Sequence, residues 1–597
     1  MAMRIFLITF ALFFSACDLH AQTAAEFRDR PDIPRDWPRE AVRSAHGMVA
    51  TDELLASQAG VEILKRGGNA IDAAVATAFA LAVVEPAAGN IGGGGFMLVR
   101  LANGKTQFFD YREVAPGKAT RDMYIKPDGK LDLEASVLGY RSVAVPGTVA
   151  GLALALKTYG TMKLANVMAP AIRLAEQGFS LTEKLVREFE EERPGLQRFS
   201  MSSHIFLNDG KRYKVGNTFR QPELAQTLKR IAQKGPADFY QGETAQMMAQ
   251  DMAALGGLMT LEDLAKYQPK MREPIHASYS LDGYTWEVLS APPPSSGGVA
   301  VVEALNMLQD LPLKGWDDPQ SVQLVVEVMR RAFADRAAYL ADPDYSSVPV
   351  AGLTDPCYAR ELVSSIEPSH ATPSLVVHAG NPHRCGQGLS ADSGEPKWVV
   401  GPHDGPHTTH FSVVDAAGNA VASTTTLNDS YGSHVTSSAG FLLNDEMDDF
   451  TTQPGAPNAL FGLIQSEGNT IAPGKRPLSS MTPTILLKDG QLSFVTGSPG
   501  GPTIISATLL TTLNWMRFGM NAQSAINAPR FHHQWLPDYI LMEKLFSPGM
   551  AEQLRAMGYE VKRQGHIGLV NAIGIDAKTG ERCGAADPRD DGSAVGY

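Results

Sequence analysis

The sequence predicts an α+β protein in which helices and sheets occupy separate layers. Helical periods fill the first part of the chain, at residues 53–66, 72–85 and 317–340. Strand alternation is concentrated after residue 408. No regular βα alternation and no internal repeat runs through the chain, which argues against a doubly wound sheet.

Of the 597 residues, 44% are hydrophobic and 19% charged, a composition that gives a globular protein with a large core. The net charge of −12 excludes a broad nucleic-acid or anionic-membrane surface, because such surfaces are basic.

At the N-terminus, Arg4 precedes the apolar run Ile5 to Ala16. That run is too short to span a bilayer and suits a signal-peptide core. Cleavage after Ala21 is expected, so residues 1–21 read as a signal peptide and the protein as periplasmic or secreted. Phe14-Ser15-Ala16-Cys17 also resembles a bacterial lipobox, with Phe where Leu is usual, so lipid anchoring at Cys17 is the minor reading.

Leu55, Ala59, Ile63 and Leu64 mark the first helix, with Gly67-Gly68-Asn69 expected as its C-cap. The second runs from Asp72 to Glu85, rich in Ala and Val, and is expected to lie buried between layers. Gly92 to Gly95 lead into a strand, Met97 to Arg100, and no Lys-Ser/Thr follows them. They therefore signal close backbone packing rather than phosphate binding. Asp317-Asp318-Pro319 opens a long helix to about Leu340. Residues 408–500 carry mostly strand signals, and 507–515 and 548–557 are helical. The cysteines after Cys17 are Cys357, Cys385 and Cys583, with no C-x-x-C pair, and the histidines from His370 to His410 and at His532-His533 are irregularly spaced. No metal or cofactor is expected. Cys357 and Cys385 read equally as a disulfide or as separate thiols.

The stretch His407-Thr408-Thr409-His410 is the most telling. Residues 366–407 are rich in Pro, Gly, Ser and His and are expected to be flexible. Phe411 to Asp415 then alternate, turn over Ala416-Ala417-Gly418-Asn419, and resume as Ala420 to Thr424, a β-hairpin beginning at a threonine. Cutting before Thr408 would give it a free α-amine, a suitable base for its own hydroxyl. The expected products are a large fragment, 22–407, and a small one, 408–597.

The chain from about Gly47 to Tyr597 resembles the γ-glutamyltranspeptidases, members of the N-terminal-nucleophile hydrolase superfamily. The resemblance rests on Ala56-Ser57 to Val84, Gly92 to Phe96, Asp110-Tyr111-Arg112-Glu113 and Val145-Pro146-Gly147-Thr148-Val149-Ala150-Gly151. It continues through Thr408-Thr409-His410, Met447-Asp448-Asp449-Phe450, Lys475 to Met481, Gly497-Ser498-Pro499-Gly500-Gly501 and Asn527 to Trp535. It implies a four-layer αββα sandwich, self-cleavage into two subunits, and attack on the γ-glutamyl amide of glutathione. The acyl group then passes to water or to an amino-acid or dipeptide acceptor.

The same resemblance makes Thr408 the nucleophile, Thr426 its hydroxyl partner, and Gly500 and Gly501 the oxyanion donors. Arg112, Ser479 and Ser480 would bind the donor's α-carboxylate; Asn428, Glu446 and Asp449 would bind its α-ammonium. Taken without the family, Arg112 would be a structural ion pair and Thr408 a strand former.

Two features depart from the pattern. The lid loop Pro454 to Gly462 is one residue longer, with Phe461 near a usual Tyr, and Gly565-His566-Ile567-Gly568 stands where a Ser/Thr-bearing loop is expected. Two other functions compete: a glutaryl-amide (cephalosporin-type) acylase, and a non-cleaving periplasmic binder of γ-glutamyl peptides. Asp449 and the lid oppose the first; Thr408, Thr426 and the Gly500-Gly501 turn oppose the second.

Overall fold

The computed structural model describes residues 34–383 and 408–597. The expected signal peptide, the Cys17 motif, Cys385 and residues 384–407 lie outside them. Two seven-stranded antiparallel sheets form the centre. The first runs, in spatial order, Ser593–Gly596, Met48–Thr51, Thr408–Val414, Ala420–Thr426, Gly94–Arg100, Thr106–Asp110 and Lys270–Arg272. The second runs Val42–Ser44, Arg582–Ala585, Ala572–Ile575, Gln491–Thr496, Thr484–Lys488, Tyr284–Ser290 and Ile275–Leu281.

Side-chain alternation assigns the layers. Phe411, Val413 and Val421 face outward from the first sheet onto Ile63, Val75 and Phe79 of the helices Leu54–Lys65 and Ala70–Val84. Their neighbours Val414, Ala420 and Ala422 face inward, with Phe96 and Leu98, onto Ile485, Val495 and Ile573 of the second sheet. That sheet's other face, with Val288, Leu486 and Phe494, meets the helices Gly297–Leu308, Pro319–Tyr339 and Thr503–Met516. The order is α, β, β, α, the expected sandwich.

All of Ala70–Val84 is buried, as its alanine content predicted, because small side chains let helices approach on both sides. Asn69 does not cap the preceding helix. Its side chain accepts from the N–H groups of Ile71 and Asp72, while Asp72 accepts from the Asn69 N–H. This capping box starts the second helix two residues earlier than expected. The four-glycine run packs backbone on backbone: a Cβ on Gly92 would lie 2.0 Å from the Leu442 carbonyl oxygen.

Two larger expectations are corrected. Strands are not concentrated late, since both sheets draw strands from before and after residue 408. Residues 427–483 are instead mostly irregular, with short 3-10 turns. Side chains satisfy much of their backbone, as where Asn444 Nδ2 donates to the carbonyls of Gly92 and Ala144. The opening part of the segment expected to be flexible is docked. The Ala371 N–H donates to the Met557 carbonyl, Trp535 Nε1 to those of Ser374 and Val377, and the Tyr339 hydroxyl to that of Gly380. Among the described residues no helix is long and apolar enough to cross a membrane.

Candidate active site

Thr408 begins an inner strand of the first sheet, and antiparallel register sets it directly opposite Thr426. Their hydroxyl oxygens are 3.1 Å apart. Asn428, held at φ +86°, donates its backbone N–H to Thr426 Oγ1 at 2.9 Å. The next residue is tied from behind: Thr409 Oγ1 donates to Asp52 Oδ2 at 2.8 Å, and Asn571 Nδ2 donates to Asp52 and to the His410 carbonyl. Burial pushes the Asp52 carboxyl up to about 6, against the pull of the Lys184 charge. This anchor holds the start of the strand in register, and it was not read from the sequence.

Arg112 follows the strand Thr106–Asp110 and is fully buried. Its Nη1 donates to Glu446 and its Nη2 to Asp449, while Nε donates to the Pro477 carbonyl at 3.2 Å. Glu113 lies 3.6 Å from Nη1. Burial pushes Glu446 well up and Glu113 to about 7, each opposed by Arg112. The same carboxylates hold the guanidinium above its usual range despite burial.

Ser479 and Ser480 stand at the edge of this cluster. Ser479 Oγ accepts from the Met481 N–H at 3.1 Å, and Ser480 Oγ accepts from Arg336 Nη2 at 3.3 Å. Past the strand Gln491–Thr496, the chain turns at Gly500 (φ +127°) and Gly501 (φ +55°) into the helix Thr503–Met516. Left-handed backbone at both positions explains the glycine pair. Their carbonyls accept from Thr503 and Ile504, whereas among the described residues neither glycine N–H has an acceptor.

One narrow pocket gathers Arg112, Thr408, Thr426, Asn428, Glu446, Asp449, Ser479, Ser480 and Gly501. Gly500 neighbours it in the turn without lining it. Phe461, Leu463, Met481 and Ile504 supply apolar walls, of which the sequence had marked only Phe461. The loop Pro454 to Gly462 is tied down beside the pocket. Leu460 N–H and Asn458 Nδ2 donate to Asp448 Oδ2, Gln534 Nε2 donates to the Phe461 carbonyl, and the Phe461 ring lies against Gly501.

The unexplained Gly565-to-Gly568 loop has a local role. Ile567 N–H donates to Glu543, Arg530 Nη1 donates to the carbonyls of Ile567 and Gly568, and the loop backs the Ser498-Pro499 turn. Among the described residues no His, Cys, Asp or Glu cluster could hold a metal. His532 bonds to Ser506 and Gln534, and His533 to Asp538.

A family model described as gamma-glutamyltranspeptidase matches residues 56–597. A protein of Escherichia coli strain K12 named glutathione hydrolase proenzyme is 44% identical, over 93% of each chain. Among solved structures, a cephalosporin acylase from Bacillus halodurans superposes with TM-score 0.81 at 29% identity, over 94% of this chain and 99% of that one. A Helicobacter pylori gamma-glutamyltranspeptidase gives 0.54 at 42% identity, over 57% of this chain and 96% of its own. The motifs that meet in this pocket thus lie inside a match to nearly the whole chain, and the chain belongs to the gamma-glutamyltranspeptidase family.

Proposed function

We propose that the pocket is the donor site of a glutathione hydrolase and γ-glutamyltransferase, with Thr408 as nucleophile. The precursor cuts its own His407–Thr408 bond into fragments 22–407 and 408–597. The freed Thr408 amine takes the hydroxyl proton as Oγ1 attacks the donor's γ-carbonyl. The N–H groups of Gly500 and Gly501 receive the oxyanion, and the Thr426 hydroxyl orients the nucleophile. Collapse expels the amine of the donor, cysteinylglycine from glutathione, carrying that proton. Water or the amine of an amino acid or dipeptide then attacks the γ-glutamyl ester and restores Thr408.

The observation that carries this reading is the ion pairing of Arg112 with both Glu446 and Asp449. A zwitterionic donor can exchange with this cluster. Its α-carboxylate takes Arg112, Ser479 and Ser480, and its ammonium takes Glu446, Asp449 and Asn428. A glutaryl group offers no ammonium, so it would leave buried carboxylates without a partner, a cost of several kcal/mol. That favours γ-glutamyl over glutaryl donors. The segment before residue 22 directs the precursor out of the cytoplasm in this account.

Asp449→Asn tests the assignment. kcat/KM should fall strongly for a γ-glutamyl anilide and relatively improve for a glutaryl anilide, with self-cleavage retained. An unchanged ratio between the two donors would remove Asp449 as the ammonium's partner. Hydrolysis of glutathione by the wild type, faster when a dipeptide acceptor is added, tests the activity itself.

A further inference from the structure

Arg336 sits in the last turn of the helix Pro319–Tyr339, behind the pocket, and is 2% exposed. The other fully buried arginines each meet a carboxylate: Arg112 meets Glu446, Arg330 meets Asp538, and Arg530 meets Asp587. Among the described residues Arg336 meets none. Its Nε donates to Ser296 Oγ at 3.0 Å, its Nη2 donates to Ser480 Oγ at 3.3 Å, and among the described residues its Nη1 has no acceptor. The carboxylate whose charge it feels is Asp449, which is already paired with Arg112. A guanidinium left this way is costly unless an anion arrives.

Its contacts also reach both serines of the pocket wall. Ser480 Oγ accepts from Arg336 and Ser479 Oγ from the Met481 N–H, so each hydroxyl keeps its proton to donate. Among the described residues neither donates to a protein acceptor. Ser296, which accepts from Arg336, donates its Oγ–H and its N–H to the Ser479 carbonyl at 2.7 and 2.8 Å. One guanidinium thereby holds the Ser480 hydroxyl directly and the Ser479 backbone through Ser296.

We propose that Arg336 is a positioning residue for donor recognition: it aims the Ser480 hydroxyl at the donor's α-carboxylate, holds the Ser479 backbone in place through Ser296, and supplies a second positive charge behind them. This rests on the reading of Ser479 and Ser480 as partners of that carboxylate. When the donor ammonium takes up Asp449, the incoming carboxylate replaces the negative charge that Arg336 loses.

The test compares Arg336→Gln, Arg336→Lys and wild type on two donors, a γ-glutamyl anilide and the same anilide with its α-carboxylate converted to a carboxamide. With the carboxylate donor, Arg336→Gln should raise KM about tenfold or more while kcat changes much less, and Arg336→Lys should recover part of the loss. With the carboxamide donor, the Gln variant should match wild type. Equal losses on both donors would overturn the proposal, as would failure of both variants to yield two-fragment enzyme. Wild type that does not discriminate between the donors would instead overturn the reading of the serines.

Discussion

At the scale of single residues, the free pocket holds more acid than one arginine can balance. Glu113, Glu446 and Asp449 surround Arg112, and among the described residues both carboxylate oxygens of Glu113 and Oε2 of Glu446 have no hydrogen-bond partner. Burial raises Glu113 to about 7 and holds Glu446 well above the usual carboxylate range, so the group gains negative charge as pH rises through about 7 and loses it as pH falls. A donor ammonium binds the anionic form. Occupancy of the donor site should therefore improve as pH rises through about 7, by up to about tenfold per unit below that point. Competitive inhibition by free glutamate measures this without chemistry. Its inhibition constant should fall from pH 6 to 8 in the wild type, and Glu113→Gln should flatten the slope. A flat wild-type profile would contradict the proton count.

Single residues were also where the sequence was most legible. Thr408, Arg112, Asp449 and the serines could be named as site candidates from the family resemblance that their short motifs carry, and the pocket brings them together; taken alone, Arg112 read as an ion pair and Thr408 as a strand former. Asp52 and Arg336 were not legible, because their partners lie far along the chain: Asp52 meets Thr409 and Asn571, and Arg336 meets Ser480. Nothing local marks either residue as more than a helix or strand-end charge.

At the scale of elements, the Gly500-Gly501 turn and the lid act on each other. A Cβ at Gly501 would stand 2.5 Å from the Phe461 ring, on a backbone at φ +55°. Gly501→Ala should lower kcat about a hundredfold by displacing an oxyanion donor. Phe461→Ala in the same chain should recover part of that loss by making room, leaving the left-handed backbone strain of about 1 kcal/mol. Steady-state kinetics of the two single variants and the double variant decide it; strictly additive losses would rule out the contact as the cause. The helices Leu54–Lys65, Pro319–Tyr339 and Pro548–Ala556 were predictable from their apolar period, and Asp318 and Ser547 N-cap the last two. Residues 427–483 were not, since their shape comes from side chains such as Asn444 and Asn469 replacing ladder hydrogen bonds. Residues 371–380 looked flexible by composition, yet Met557, Trp535 and Tyr339 hold them.

At the scale of the whole molecule, the two sides of residue 408 are woven together. Met48–Thr51 pairs with Thr408–Val414, and Ala420–Thr426 pairs with Gly94–Arg100. Tyr284–Ser290 pairs with Thr484–Lys488 in the other sheet. Neither fragment holds a complete sheet, so 408–597 produced alone should show no cooperative unfolding transition, whereas the cleaved pair should unfold as one unit. Calorimetry of each preparation tests this, and a folded isolated fragment would contradict it. Local pattern pointed to the α+β class, but the four-layer order could be anticipated only from the family resemblance, because strand order is set by pairings across residue 408.

The central claim is that Thr408, as a new N-terminus, carries the γ-glutamyl group. The direct measurement is mass spectrometry of the small fragment, before and during turnover of a slow γ-glutamyl donor, with peptide mapping of the adduct. The account predicts a fragment that starts at Thr408 and gains one γ-glutamyl group on that residue, and a Thr408→Ala chain that stays whole and unlabelled. A fragment starting elsewhere, or a γ-glutamyl group on any other residue, would contradict it.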